Sequence, residues 1–142
     1  MSNLRFENLN DELHIQLFSK SDLHDLSNFM FNTKPASNEI LRWISVFKEE
    51  DLIGSYWIES RNDKMFLGLF VLSQFRGQSH GKLILKEILS VAKQSGIKEI
   101  FLNVRENNVN AITLYEKLGF LKTKNFVNRR GTSSIEFKFE LQ

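Results

Sequence analysis

The chain has 142 residues, 42% hydrophobic, 12% aromatic and 25% charged, the composition expected of one soluble globular domain over residues 1–142. No run approaches the ~18 apolar residues of a membrane span, and the acidic N-terminus lacks the apolar stretch of a signal peptide. Cysteine is absent, which excludes disulfides, thiol nucleophiles and cysteine-ligated metals and is consistent with the cytoplasm. One proline against 13 phenylalanines argues against disorder.

Net charge is only +2 but unevenly spread. Residues 1–71 carry 7 Lys+Arg and 11 Asp+Glu, a balance of −4; residues 72–142 carry 12 and 6, a balance of +6. A basic half suits a phosphate-bearing partner, although a scatter of surface charge would look the same.

In chain order, Leu13–Phe18 reads as a first strand. Ser21 reads as the N-cap of a helix with Leu23, Leu26 and Met30 on one face. The tract 32–38 around the single proline reads as a loop, with a short helix after Ser37. Ile44–Lys48 and Leu52–Glu59 are β-branched and aromatic on either side of a polar turn, a hairpin pattern. Met65–Leu72 is apolar without alternation, as in a central strand covered on both faces. Gly81–Ser95 places Ile84, Leu85, Ile88, Val91 and Ala92 on one helical stripe, opposite Lys82, Lys86, Lys93 and Gln94. Gly96 follows as a C-terminal glycine.

Ile100–Arg105 alternates, with Ile100, Leu102 and Val104 on one face. Asn110–Leu118 is a second helix closed by Gly119. Ser134–Leu141 alternates again, with Ile135, Phe137, Phe139 and Leu141 in and Ser134, Glu136, Lys138 and Glu140 out. A strand–helix–strand unit between antiparallel pairs predicts a mixed sheet in one α/β domain.

The junction Val71–Lys82 carries chemistry. A buried strand ends, a loop with two glycines and an arginine follows, and a helix begins at once. Unpaired amides at a helix N-terminus favour anions. Gly77 and Gly81 let backbone approach phosphate oxygens, and Arg76 and Lys82 add positive charge. A plain strand-to-helix turn needing glycine dihedrals is the alternative. The loop is neither a Walker loop nor a dinucleotide fingerprint.

Arg76-Gly77-Gln78-Ser79-His80-Gly81 resembles the pyrophosphate loop Gln/Arg-x-x-Gly-x-Gly/Ala of the GNAT superfamily, the acyl-CoA-dependent N-acyltransferases. Arg76 and Gly81 match, and Ser79 stands where the first motif glycine usually is. Further on, Asn108-Val109-Asn110-Ala111-Ile112-Thr113-Leu114-Tyr115-Glu116-Lys117-Leu118-Gly119-Phe120 matches every fixed position of the second signature, Asn-x-x-Ala-x-x-Leu-Tyr-x-x-Leu-Gly-Phe.

The resemblance implies a mostly antiparallel sheet of six or seven strands whose fourth and fifth, Met65–Leu72 and Ile100–Arg105, run parallel and splay apart. Acetyl-CoA would enter the splay as cosubstrate. Its pantetheine would lie along Leu69, Phe70 and Val71, its diphosphate on the amides of Arg76, Gly77, Gln78, Ser79, His80, Gly81 and Lys82. Asn103, Asn108 and Ala111 would lie on the cofactor side, His80 giving only its backbone.

The implied reaction is direct attack of an amine on the thioester, since no cysteine can carry the acetyl group. A backbone amide near Val71 would hold the oxyanion, and Tyr115 would protonate the leaving sulfur. Without the motif, Tyr115 reads as a core aromatic on its helix stripe. Some relatives carry a glutamate base at the position of Asn103. Here Glu59 is the candidate base, with a water chain to backbone carbonyls as the alternative. No metal spacing joins the histidines. The partners implied are acetyl-CoA and an amine acceptor, with no nucleic acid and no membrane; a homodimer stays open. The acidic half suits a cationic acceptor. A non-catalytic CoA-binding regulatory domain is the alternative. A nucleic-acid module finds no motif.

Overall fold

The computed structural model describes residues 4–8, 12, 16, 39–77 and 79–141. The elements in chain order are β1 (Leu4–Asn8), β2 (Glu39–Lys48), β3 (Asp51–Arg61), β4 (Lys64–Val71), α1 (His80–Gln94), β5 (Glu99–Arg105), α2 (Val109–Leu118), β6 (Leu121–Val127) and β7 (Ser133–Glu140). They build a seven-stranded mixed sheet of order β1-β2-β3-β4-β5-β7-β6. All pairings are antiparallel except β4 with β5.

The first strand is not where the periodicity puts it. Leu4–Asn8 pairs with β2, while Gln16, the one described residue of 13–18, is helical. Five residues with two half-buried apolar positions, Leu4 and Phe6, give an edge strand too little alternation to register in sequence. The helix after Ser21 and the 32–38 loop lie outside the described residues. The short helix expected after Ser37 is overturned: from Glu39 the chain is strand β2, paired antiparallel with β3, as its β-branched and aromatic residues favour.

The two N-terminal hairpins are tight. Lys48 pairs with Asp51 around a two-residue loop, and Arg61 pairs with Lys64. Asn62 and Asp63 both take positive φ, 51° and 64°, as a type I′ connection between twisted strands requires.

One face of the sheet carries the main core. Ile84, Leu85, Ile88 and Ala92 of α1 pack with Ile44, Ile53, Leu67, Ile100, Leu102, Val104, Ile135 and Phe137, and α2 joins them through Ala111, Leu114 and Tyr115. The other face carries a smaller cluster of Phe47, Leu52, Trp57, Phe70 and Leu72. Ser134 and Glu136 do lie on that other face, but they are buried, 0% and 4% exposed, rather than out. β7 is an internal strand between β5 and β6, so alternation identifies the face without identifying solvent. Among the described residues no helix is long and apolar enough to cross a membrane.

Candidate active site

The two parallel strands touch at one point. β4 and β5 share a single register pair, Phe66 with Phe101, whose rings lie 5.6 Å apart. Beyond it the strands diverge and enclose a cavity of about 780 Å³, walled by Leu67–Val71 of β4 and Leu102–Arg105 of β5. That volume is typical of a small-molecule site. The edge of β4 from Leu67 to Val71 has no strand partner on the β5 side among the described residues. It can therefore pair with an extended amide-bearing ligand, as an added strand would.

The cavity's end is the strand-to-helix junction. Gly77 and Ser79 both take left-handed backbone, at φ 77° and 65°. Ser79 precedes α1 without capping it through its side chain, so first-turn amides keep their donor capacity for a ligand at the positive end of the helix dipole. Arg76 Nε donates to the Val71 carbonyl at 2.8 Å, tying the loop to the end of β4. Gly81 is not left-handed. A Cβ there would meet only Leu114 Cδ2, at 3.6 Å, so neither the turn nor the packing demands glycine. An open surface toward the cavity is what it supplies.

His80, the first residue of α1, is 2% exposed, and neither ring nitrogen has a partner. Burial, and secondarily the charge of Lys48, push its imidazole below 6.5. It is therefore neutral at pH 7.

α2 supplies the opposite wall. Asn108 caps it, its Oδ1 accepting from the Ala111 amide at 3.3 Å. Tyr115 lines the cavity and packs its ring on Phe120 and Phe137, at 5.7 and 6.1 Å between centroids. Burial raises its hydroxyl to about 12, which keeps it a proton donor at neutral pH. Asn103 lines the same space, and its Oδ1 is buried without a partner.

The cavity thus brings together Leu69, Phe70, Val71, Arg76, Gly77, Ser79, His80, Gly81, Asn103, Asn108, Ala111 and Tyr115. Lys82 is exposed on α1 and not among the lining residues; Gln78 lies outside the described residues. Glu59 is not a lining residue either. It is 2% exposed on β3, with Oε1 on Arg61 Nη2 at 2.8 Å. Sequence reasoning did not name Leu67, Gly68, Phe75, Leu102, Val104, Arg105, Asn107, Asn110 and Leu114 as site residues, and all of them line the cavity. The positions of Asn107, Asn110 and Leu114 beside Asn108 and Ala111 were the available signal.

A model of the acetyltransferase (GNAT) family matches residues 4–120. The chain belongs to this family. Among its GNAT relatives, the spermine/spermidine N(1)-acetyltransferase of Bacillus subtilis is 30% identical over 87 residues, 54% of this chain and 57% of the relative. The [ribosomal protein bS18]-alanine N-acetyltransferase of Haemophilus influenzae is 31% identical over 78 residues, 54% of this chain and 53% of the relative. The matches thus span little more than half of those relatives' lengths.

The GNAT fold is shared more widely. The ribosomal-protein-S18-alanine N-acetyltransferase of Escherichia coli superposes with a TM-score of 0.72 at 16% identity, over 99% of this chain and 95% of that one. A Salmonella typhimurium protein solved with its cofactor acetyl-CoA gives 0.74 at 12% identity, over 99% and 95%.

Proposed function

We propose that this GNAT chain transfers an acetyl group from acetyl-CoA to a primary amine, directly, within a ternary complex. The observation that carries the reading is the wedge between β4 and β5. It unites a β4 edge without a β5 partner beyond Phe66 among the described residues, a helix start without a side-chain cap and the half-buried Tyr115 in one cavity. Each part suits one part of the cosubstrate. The strand edge matches the amides of pantetheine. The amides before and within the first turn of α1 match a diphosphate. Tyr115 is assigned to the thioester sulfur.

The chemistry follows from the bonds. A neutral amine attacks the thioester carbonyl, and charge gathers on the carbonyl oxygen, where a backbone amide of β4 near Val71 is the donor we assign. As the C–S bond breaks, the thiolate takes the Tyr115 proton, and the proton shed by the amine restores the phenol. A phenol of pKa about 12 is a weaker acid than a thiol of about 8.5. Transfer from the phenol to the thiolate alone is uphill, so the proton moves in concert with return of the amine's proton to the phenol oxygen, and the contribution of Tyr115 falls at the low end of the ~10²–10⁴-fold range of general acids.

The names of the relatives point to two kinds of acceptor, a polyamine and a protein N-terminus, and the acidic 1–71 half favours the cationic amine. The test is release of CoA thiol from acetyl-CoA with spermidine, an alanine-terminal peptide and other amines. Turnover with any of them supports the enzyme. Acetyl-CoA that raises the melting temperature without turnover across the panel selects the non-catalytic CoA-binding domain.

A further inference from the structure

A carboxylate stands on the sheet face opposite α1 and α2, beside the narrow end of the wedge. β7 pairs with β5 so that Asn103 faces Glu136; directly paired side chains emerge on one face with Cβ atoms ~4.5–5.5 Å apart. Glu136 is 4% exposed. Its Oε1 accepts from Thr123 Oγ1 at 2.6 Å. The same oxygen is 3.7 Å from Lys64 Nζ, which stands 4.6 Å above the Phe101 ring. The neighbouring Asn103 Oδ1 is buried, unpartnered, and belongs to a residue lining the wedge. A carboxylate, a ring face and an unsatisfied amide oxygen all attract a positive nitrogen, and one ammonium of the chain already sits against two of them.

The helices cover the other face. Tyr115, Leu114 and the α1 stripe pack there. With α1 and α2 on the other face among the described residues, the amine's approach to the thioester is assigned to the face of Asn103, which lines the wedge, and of its cross-strand partner Glu136, which does not.

We propose that Glu136 and Asn103 Oδ1 form the subsite for the positive nitrogen of the acceptor, with Lys64 the internal cation that a cationic acceptor displaces. This rests on the acetyl-transfer reading and adds to it the class of acceptor, an amine carrying a second, protonated nitrogen besides the neutral one that attacks, and the residues that select it. Lys64 is suited to displacement, because its side chain is 43% exposed and its contact with Glu136 is long.

The test compares wild type, Glu136→Gln and Lys64→Met in steady-state acetyl transfer, with spermidine and with an arylamine that is neutral at the assay pH. Glu136→Gln keeps an oxygen for Thr123 and removes the charge. We expect the spermidine KM to rise about tenfold or more, the weight of a charge-assisted contact. The acetyl-CoA KM and the arylamine KM should stay within twofold. Lys64→Met should lower the spermidine KM, a gain that a purely structural role of the Lys64–Glu136 pair does not produce. A spermidine KM unchanged by Glu136→Gln, in a wild type that turns over, overturns the subsite and leaves the enzyme reading intact. A wild type without turnover overturns the enzyme reading instead. Calorimetry of spermidine with the CoA-saturated protein then decides the subsite. Binding lost in Glu136→Gln supports it, and no binding in wild type overturns it.

Discussion

Tyr115 and Phe120 are joined twice: the Phe120 amide donates to the Tyr115 carbonyl at 3.0 Å, and their rings lie 5.7 Å apart between centroids. With Gly119 left-handed at φ 104° and its amide on the Glu116 carbonyl at 3.1 Å, this is a Schellman ending with its usual hydrophobic contact. The Leu-Gly-Phe of the second signature is thus a helix stop that returns Phe120 onto the tyrosine ring. The ring of Tyr115 is core, as its helical stripe suggests, and only the hydroxyl is left for chemistry.

Gly68 is fixed by Trp57. The two are cross-strand partners, and a Cβ on Gly68 would fall 2.2 Å from two atoms of the indole. Trp57 is 2% exposed and has Trp43 edge-on at 6.2 Å, so it has little room to yield. Gly68→Ala should destabilise the fold by about 1–3 kcal/mol, as overpacking does. Urea denaturation measures it, and a change under ~0.5 kcal/mol, the surface level, would show that the indole moves freely.

His80 makes stability depend on pH. Its imidazole is depressed below 6.5 in the folded chain. It therefore adds stability above its unfolded pKa, and that stability is lost as pH falls through the folded value. His80→Leu removes this acid sensitivity. Its melting temperature should exceed that of wild type by more at pH 5 than at pH 8, because only the acidic condition charges the buried ring. Equal differences at both pH values would contradict this.

The loop between β4 and α1 yields a pair of opposite expectations. Ser79→Gly relieves a left-handed non-glycine residue, which stores about 1–3 kcal/mol, against the larger unfolded-state entropy of glycine, about 0.5–1 kcal/mol. A net gain of roughly 1 kcal/mol with unchanged acetyl-CoA affinity is expected. Gly81→Ala has room inside the protein, the nearest atom being 3.6 Å away, and alanine favours a helix by about 0.5–1 kcal/mol. It should stabilise the free chain while weakening acetyl-CoA, because the added methyl occupies the cavity surface. Denaturation and calorimetry on the two variants read both quantities. Tight acetyl-CoA binding by Gly81→Ala would remove the close-approach role.

The helices and the central strands were legible because their periods are long and clean: Ile84, Leu85, Ile88 and Ala92 are all buried where the stripe places them. The β1 edge was not, since Leu4 and Phe6 are its only half-buried apolar residues. Burial of Glu136 was not legible either. It depends on β7 inserting between β5 and β6, a long-range arrangement that local alternation does not encode. Most of the cavity followed from two motifs and the strand between them. Glu59 shows the limit, because a carboxylate at the end of a strand can turn to a neighbour such as Arg61 instead of a cavity.

The proton-donor role proposed for Tyr115 gives the most direct test of acetyl transfer in the wedge. Tyr115→Phe keeps the ring, its contacts with Phe120 and Phe137 and the helix ending, and removes only the hydroxyl. With a confirmed acceptor at one pH, kcat and kcat/KM should fall together, by about 10², with the acetyl-CoA KM and the melting temperature nearly unchanged. Since the hydroxyl is raised to about 12, the wild-type rate should show no alkaline decline from Tyr115 up to pH 10. A single-turnover acetyl-transfer rate within twofold of wild type in Tyr115→Phe would contradict the assignment and leave Tyr115 a core aromatic alone.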